Sequence, residues 1–203
     1  MALRHTTFKN KGKQDHHRFQ QILVTAAKVF RTKGYHHATV QDIANKVGMK
    51  KGSLYYYISG KEELLYEIIN SAVDMYMESL LEIISLKERA DVVLKKAIMA
   101  HLSNIEVEYD KVFVFLNEFE SLSAEYRKEA EEKIDQYEAL LKLIMDRGQE
   151  DGVFKPEIDG KIMLLGIVGM CNWTARWYRF GYKYNMKDIA EIYSNCILSG
   201  IIK

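Results

Sequence analysis

Apolar residues recur along this chain at intervals of three and four, the spacing that gathers them on one side of an α-helix. No stretch alternates apolar and polar residues in the manner of a half-buried strand, and no internal repeat of fixed period runs through it. The pattern predicts an all-α fold of about nine helices. After a polar, basic arm from Leu3 to Gln14, the first stripe is Phe19, Ile22, Leu23, Ala26, Ala27 and Phe30, ending near Gly34. Thr39 is expected to cap a short second helix, with Asp42 at the capping-box position, Val40, Ile43, Ala44 and Val47 on one face, and Gly48 as the stop. Gly48 and Met49 then turn the chain into a third short helix, Lys50 to Ile58, with Leu54 facing inward. Ser59 is expected to cap the fourth helix, with Glu62 at its third position.

The fourth helix is long, marked by Leu64, Leu65, Ile68, Ile69, Ala72, Tyr76, Leu80 and Ile83. Further stripes follow at Leu94, Ala97, Ile98, His101, Leu102 and Ile105, at Val112 to Phe119, and at Ala130, Ile134, Tyr137, Leu141, Ile144 and Met145, and these would pack as a bundle. The only proline, Pro156, lies in a GVFKP loop ahead of two last helices, Ile158 to Phe180 and Asn185 to Ile201. This organisation divides the chain into residues 1–62, an arm and three short helices, and residues 63–203, a helical body.

Charge follows the same division. Residues 1–60 hold eleven Lys or Arg against only Asp15 and Asp42, so the net charge of +1 for the whole chain conceals a basic head on an acidic body. That asymmetry is the footprint of a protein one end of which meets polyphosphate. With 48% apolar residues the chain can bury a real core. The stretch Ile162 to Ala175 is too short to span a bilayer and no signal-peptide pattern is present, so the chain is read as cytoplasmic, with no membrane partner. Cys171 and Cys196, in helical apolar patterns, match no redox or zinc spacing and are expected to be buried free thiols.

Two short helices joined by a glycine turn and backed by a third meet the requirement for a helix-turn-helix whose second helix enters the major groove. The stretch from Gly34 to Leu65, with GSLYYY followed by KEEL, closely resembles the tetracycline-repressor (TetR) family of transcriptional regulators. Two positions depart from that family's pattern, Ile58 in place of Phe and Lys50 in place of Ser or Thr. The resemblance and the chemistry single out the same DNA-contacting residues. Lys50 and Lys51 bring charge to phosphates, while small Gly52 and Ser53 permit close approach. Tyr55 and Tyr56 offer phenol donors and ring faces, and Thr39 and Lys61 match positions that meet the DNA backbone in the family. The bland alternative places the tyrosines in the core and the lysines on an ordinary solvated face. His36 and His37 adjoin the motif, but neighbouring loop histidines do not by themselves make a metal site, and no metal is expected.

A head of this size covers one half-site, so the resemblance implies a homodimer on double-stranded operator DNA, with heads one helical turn apart, about 34 to 36 Å. The interface is expected on the last two helices, through Leu165, Val168, Ile189, Ile192, Tyr193, Cys196 and Ile197, with small Gly166, Gly169 and Gly200 beside them. The alternative is that these stripes serve only the core of one chain. Within Gly169 to Gly181, Trp173 and Trp177 lie one turn apart with Arg176 and Arg179 interleaved. This resembles the NWxxxWY segment of TetR-type regulators of fatty-acid degradation that respond to acyl-CoA esters, with Phe180 in place of a proline. The resemblance implies an acyl-CoA-like effector, held by Trp173, Arg176 and Trp177 and by a tunnel lined with Met99, Phe113, Phe115 and Phe119. A different apolar ligand, or a tryptophan-rich core with surface arginines, fits the same residues.

No nucleophile, base and oxyanion set emerges, and no metal-ligand set; His101 reads as a core histidine, and Glu118 and Glu120 as solvated carboxylates. The chain is therefore read as a non-enzyme without a cofactor: a ligand-responsive repressor, with a non-specific DNA-binding or adaptor protein as the other class.

Overall fold

The computed structural model describes residues 13–179 and 181–203. Most of the basic arm and Phe180, which stands for the proline of the related segment, lie outside the described residues. Nine α-helices form among the described residues: α1 Lys13–Lys33, α2 Val40–Val47, α3 Lys51–Leu54, α4 Lys61–Ser85, α5 Ala90–Val107, α6 Tyr109–Glu118, α7 Ala124–Glu150, α8 Gly160–Trp177 and α9 Met186–Ile201. A 3-10 turn, Phe119–Ser121, links α6 to α7, and none of the helices described is long and apolar enough to cross a membrane.

Local chemistry sets the ends of the short helices. The Thr39 hydroxyl accepts from the Asp42 N–H at 3.1 Å, and the Asp42 carboxylate accepts from the Thr39 N–H at 3.0 Å, which completes the capping box. Lys33 also donates to Asp42 at 2.6 Å. This bond, with those from Thr39, holds the Asp42 carboxyl at about 2, below the usual carboxylate range. Gly48 ends α2 at φ 72°, a left-handed conformation that favours glycine. Two expectations need correction. The third helix is only Lys51–Leu54, and Tyr55 to Tyr57 form a turn that returns Tyr57 and Ile58 N–H to the Leu54 carbonyl. The N-cap of α4 is Gly60, because the N–H and hydroxyl of Ser59 both go to the Glu63 carboxylate instead.

Two apolar cores organise the packing. The head core joins Phe19, Ile22, Phe30, Ile43 and Leu54 to Leu64, Leu65, Ile68 and Ile69 of α4, and it takes in Val114 and Ala130 from α6 and α7. The body core begins farther along α4 with Tyr76 and Leu80 and continues through α5, α7, α8 and α9. The two cores thus share one helix, and position 62/63 falls inside its first turn. At the end of α7 a side chain on Gly148 would come within 2.1 Å of the Phe154 ring, so this glycine is dictated by packing. The cysteines differ from expectation: Cys171 is buried, which pushes its thiol up to about 12, but Cys196 faces outward because α9 turns that side away from α5.

Candidate nucleic-acid interface and effector pocket

In α3 one side chain is inside and its neighbours are outside. Leu54 is fully buried and Ile58 nearly so, and these two pin the segment to the head core. Around them Lys50, Lys51, Gly52, Ser53, Tyr55 and Tyr56 all face solvent. Tyr55 is 47% and Tyr56 60% exposed, which removes the core reading of the tyrosines. A Cβ on Gly52 would meet nothing within 4 Å, and its φ is not in the left-handed region. The fold itself therefore does not demand glycine there; open space at that spot suits an approaching phosphate or sugar.

The other two expected contacts sit differently. Thr39 is exposed at the start of α2, but its hydroxyl is engaged in the cap with Asp42. The Lys61 ammonium donates to the carbonyls of Tyr35 at 2.9 Å and Ala38 at 3.0 Å and lies over the Tyr35 ring. It closes the loop between α1 and α2, a structural duty that the motif register did not reveal. His36 meets Ser121 at 3.2 Å across that loop, and no cluster of three metal-binding side chains occurs among the described residues.

The residues expected to hold an effector separate into three groups. Phe113, Trp173 and Arg176 line one pocket of about 230 Å³ between α6 and α8, together with Leu116, Asn117 and Asn172. Trp173 is 62% exposed and the Arg176 guanidinium lies 5.7 Å from its ring centre. Phe115 and Phe119 do not line this pocket. They pack on each other and against the head core, because α6 lies between the two cores and offers them its head-facing side. Met99 packs against the body core, and Trp177 turns away from the pocket toward Tyr178 and Tyr182.

Sequence reasoning missed what lies behind Asn172. Its Oδ1 is 2.9 Å from His101 Nε2, and His101 Nδ1 is 3.0 Å from the Tyr137 hydroxyl. Burial pushes the His101 pKa down to about 4, so the ring is neutral near pH 7. The consistent arrangement has Tyr137 donating to Nδ1 and Nε2–H donating to Asn172. Tyr76 stacks on the His101 ring at 4.4 Å, with its own hydroxyl buried and unpaired. The only sequence signal for this cluster was a histidine in an apolar stripe, with its partners 36 and 71 residues away.

Head and body are joined at several points beyond α4. Arg31 of α1 pairs with Asp110 of α6 and lies over the Tyr109 ring. The Tyr35 N–H donates to Glu118 at 3.0 Å, and the Ser123 N–H donates to Glu62 at 2.6 Å. A cleft of about 640 Å³ runs along this junction, lined among others by Lys28, Arg31, Tyr109, Phe113 and Arg179.

The expected interface residues also divide. Leu165, Ile192 and Cys196 are exposed, and Val168 and Tyr193 are half-buried. Ile189 and Ile197 are instead buried inside the body core, because α9 lays that face along α5. On α8 the outward stripe is Ile162, Leu165, Gly166, Gly169 and Trp173, and on α9 it is Ile192, Cys196 and Gly200.

Known proteins share this architecture. The family profile for bacterial regulatory proteins of the tetR family matches residues 22–68, and that for the tetracyclin repressor-like C-terminal domain matches residues 88–201. The repressor KstR2 of Mycobacterium tuberculosis is 27% identical over 184 residues, 90% of this chain and 92% of the relative. The fatty acid metabolism regulator protein of Bacillus subtilis is 26% identical over 190 residues, 93% and 98% of the two chains. The crystal structure of PfmR from Thermus thermophilus superposes with a TM-score of 0.82 at 32% identity, covering 88% of this chain and 97% of that one. With both halves of the chain matched in order, and with the exposed α3 surface in place, the protein belongs to the tetR family of bacterial transcriptional regulators.

Proposed function

We propose that this chain is a homodimeric, ligand-responsive repressor that reads operator DNA through α3 and releases it when an acyl-CoA-like effector enters the body. The observation that carries the DNA-reading half is the ring of six exposed residues, Lys50, Lys51, Gly52, Ser53, Tyr55 and Tyr56, held rigidly by the buried Leu54 and Ile58 on a basic head. The lysines supply phosphate contacts and the small and aromatic residues face the groove, with Thr39 beside them at the start of α2.

Two observations support dimerisation through α8 and α9. Both outward stripes are apolar, with Ile162 66% and Ile192 53% exposed. A Cβ on Gly166, Gly169 or Gly200 would meet nothing within 4 Å, so one chain alone has no packing use for these helix glycines. Glycine within a helix costs about 0.5–1 kcal/mol relative to alanine; a second copy seated closely on the stripe gives it a purpose.

The effector reading is supported by the pocket of Phe113, Trp173 and Arg176, an apolar wall and a ring beside a guanidinium that suits an acyl group joined to phosphates. It also agrees with one relative being named for fatty acid metabolism. An occupant between α6 and α8 reaches the head through the packing of α4 and α6, and is expected to alter the separation of the two heads.

The test is selection of binding sites from a genomic DNA pool at fixed salt, followed by titration with long-chain acyl-CoA and with the free fatty acid. The proposal expects a palindromic site bound at least roughly 10³-fold tighter than scrambled DNA, released by the thioester and not by the acid. Lys51→Ala is expected to reduce the salt dependence by about one phosphate contact per protomer. Failure to enrich any sequence would favour a non-specific DNA-binding protein; a specific site indifferent to acyl-CoA would leave a regulator of a different ligand.

A further inference from the structure

The Phe113, Trp173 and Arg176 pocket does not end on an apolar wall. Asn172 lines it, and the same Asn172 caps the buried chain that runs through His101 to Tyr137. These side chains come from α5, α7 and α8, and Tyr76 of α4 completes the group by stacking on His101. The Tyr76 ring is 4% exposed and its hydroxyl has no hydrogen-bond partner. A buried phenol without a partner is disfavoured unless something else occupies the site, so its presence in this core points to a missing group. Ordinary core packing offers no such reason, since phenylalanine would fill the same space.

We infer that Tyr76, His101, Tyr137 and Asn172 form the inner end of the effector site and select a ligand with an uncharged oxygen, a hydroxyl or a keto group, on its apolar part. Once the Asn172 amide swings aside, His101 Nε2–H is a neutral donor for a ligand oxygen, and the unpaired Tyr76 O–H is a second neutral donor in the same cluster. Neutrality decides the class. Burial keeps His101 uncharged and raises the pKa of Tyr76 well above its ordinary value, so no cation waits there for a carboxylate or phosphate. A plain hydrocarbon would satisfy neither donor. Room for the rest of the ligand can come from Met75, Met99, Met163 and Met170, which pack around this core and repack readily. Because Tyr76 sits on the helix whose first turns belong to the head core, the oxygen is sensed on the element that leads to the DNA.

This inference rests on the acyl-CoA reading of the effector, and the experiment separates the two. Release of the full-length protein from its selected operator is titrated with decanoyl-CoA and with 3-hydroxy-, 3-oxo- and 10-hydroxydecanoyl-CoA. The wild-type protein is expected to respond to at least one oxygenated thioester at a roughly 10-fold lower concentration than to decanoyl-CoA. Tyr76→Phe is expected to bring that pair within about twofold of each other, and to leave the ligand-free thermal midpoint equal or higher, since it removes an unpaired group. Equal response of the wild type to all four thioesters would overturn the polar site while the acyl-CoA reading stands. A Tyr76→Phe protein that melts lower and keeps the wild-type ranking would likewise overturn it. No response to any thioester would overturn both.

Discussion

The two cores of this molecule are built from different materials. The head core is aliphatic and aromatic: Ile22, Ala26, Ile43, Leu54, Leu64, Leu65 and Ile68 are completely buried, and among the described residues Met49 is the one methionine packed against it. The body core carries polar atoms in its interior, on His101, Thr174 and Ser194, and methionines along its margin, among them Met75, Met99, Met163 and Met170. A DNA-reading surface needs side chains held in one place, which close apolar packing provides. A site that must admit a ligand needs partners for polar groups and side chains able to move aside, and these come at the expense of a uniquely packed interior. The shared helix α4 belongs to both materials, with Leu65 at one end and Tyr76 in the other core.

The largest expected effect comes from truncation in the head core, set against a volume-conserving exchange in the body. Leu65→Ala is expected to destabilise by about 2–5 kcal/mol, through lost burial and a cavity the rigid head cannot close. Met99→Leu in the body is expected to cost less than about 1.5 kcal/mol. Chemical denaturation measures both, and equal losses would remove the contrast.

Acid is expected to act on the body first. The folded pKa of His101, about 4, lies below its unfolded value near 6.5, so the unfolded chain binds the proton more readily. The stability tied to neutral His101 is therefore complete above pH 6.5 and is lost as pH falls toward 4, by about 3 kcal/mol. Asp42 in the head has its pKa depressed to about 2, so its contribution holds down to the ordinary carboxylate range and fades only below it. Urea titrations at pH 7, 5.5 and 4.5 check this, and His101→Gln should flatten the slope above pH 4.5.

Smaller effects belong to local devices. Thr39→Ala removes the cap of α2 and is expected to cost about 1 kcal/mol, read as a lowered thermal midpoint with weaker operator binding. Arg31→Gln breaks the pair with Asp110, whose two side chains are about a third exposed, and is expected to change stability by no more than about 1 kcal/mol. Its effect should appear instead in the effector concentration that releases DNA, because the pair ties α1 to α6.

What the sequence disclosed follows the same division. In the head the chemistry is local: Thr39 and Asp42 are three residues apart, Gly48 marks its own turn, and the stripe from Phe19 to Phe30 repeats at helical spacing. The reading was misled there by a local competitor, where Glu63 captured Ser59 four residues away, and by one distant partner, where Lys61 turned to the loop carbonyls of Tyr35 and Ala38. In the body the helices were legible but the neighbours of each face were not. Periodicity placed Ile189 and Ile197 on an apolar stripe without telling which side faces α5, and it grouped Phe113 with Phe115 and Phe119 although α6 divides them between pocket and head core. The polar cluster depends on residues brought together from four helices, which no spacing in the sequence records.

If the body sets the placement of two rigid heads, the distance between them must answer to the effector. Spin labels at Lys46→Cys in each protomer would read it, in a Cys196→Ser background that removes the exposed thiol. Pulsed electron resonance would be recorded for the protein alone, with operator, and with operator plus an acyl-CoA that releases it. One narrow distance is expected on DNA and a different one with effector, while in a second protein labelled twice within one head the intra-head distance stays unchanged. An effector that releases DNA without moving the inter-head distance, or that disorders the head itself, would contradict this picture of rigid heads steered by the body.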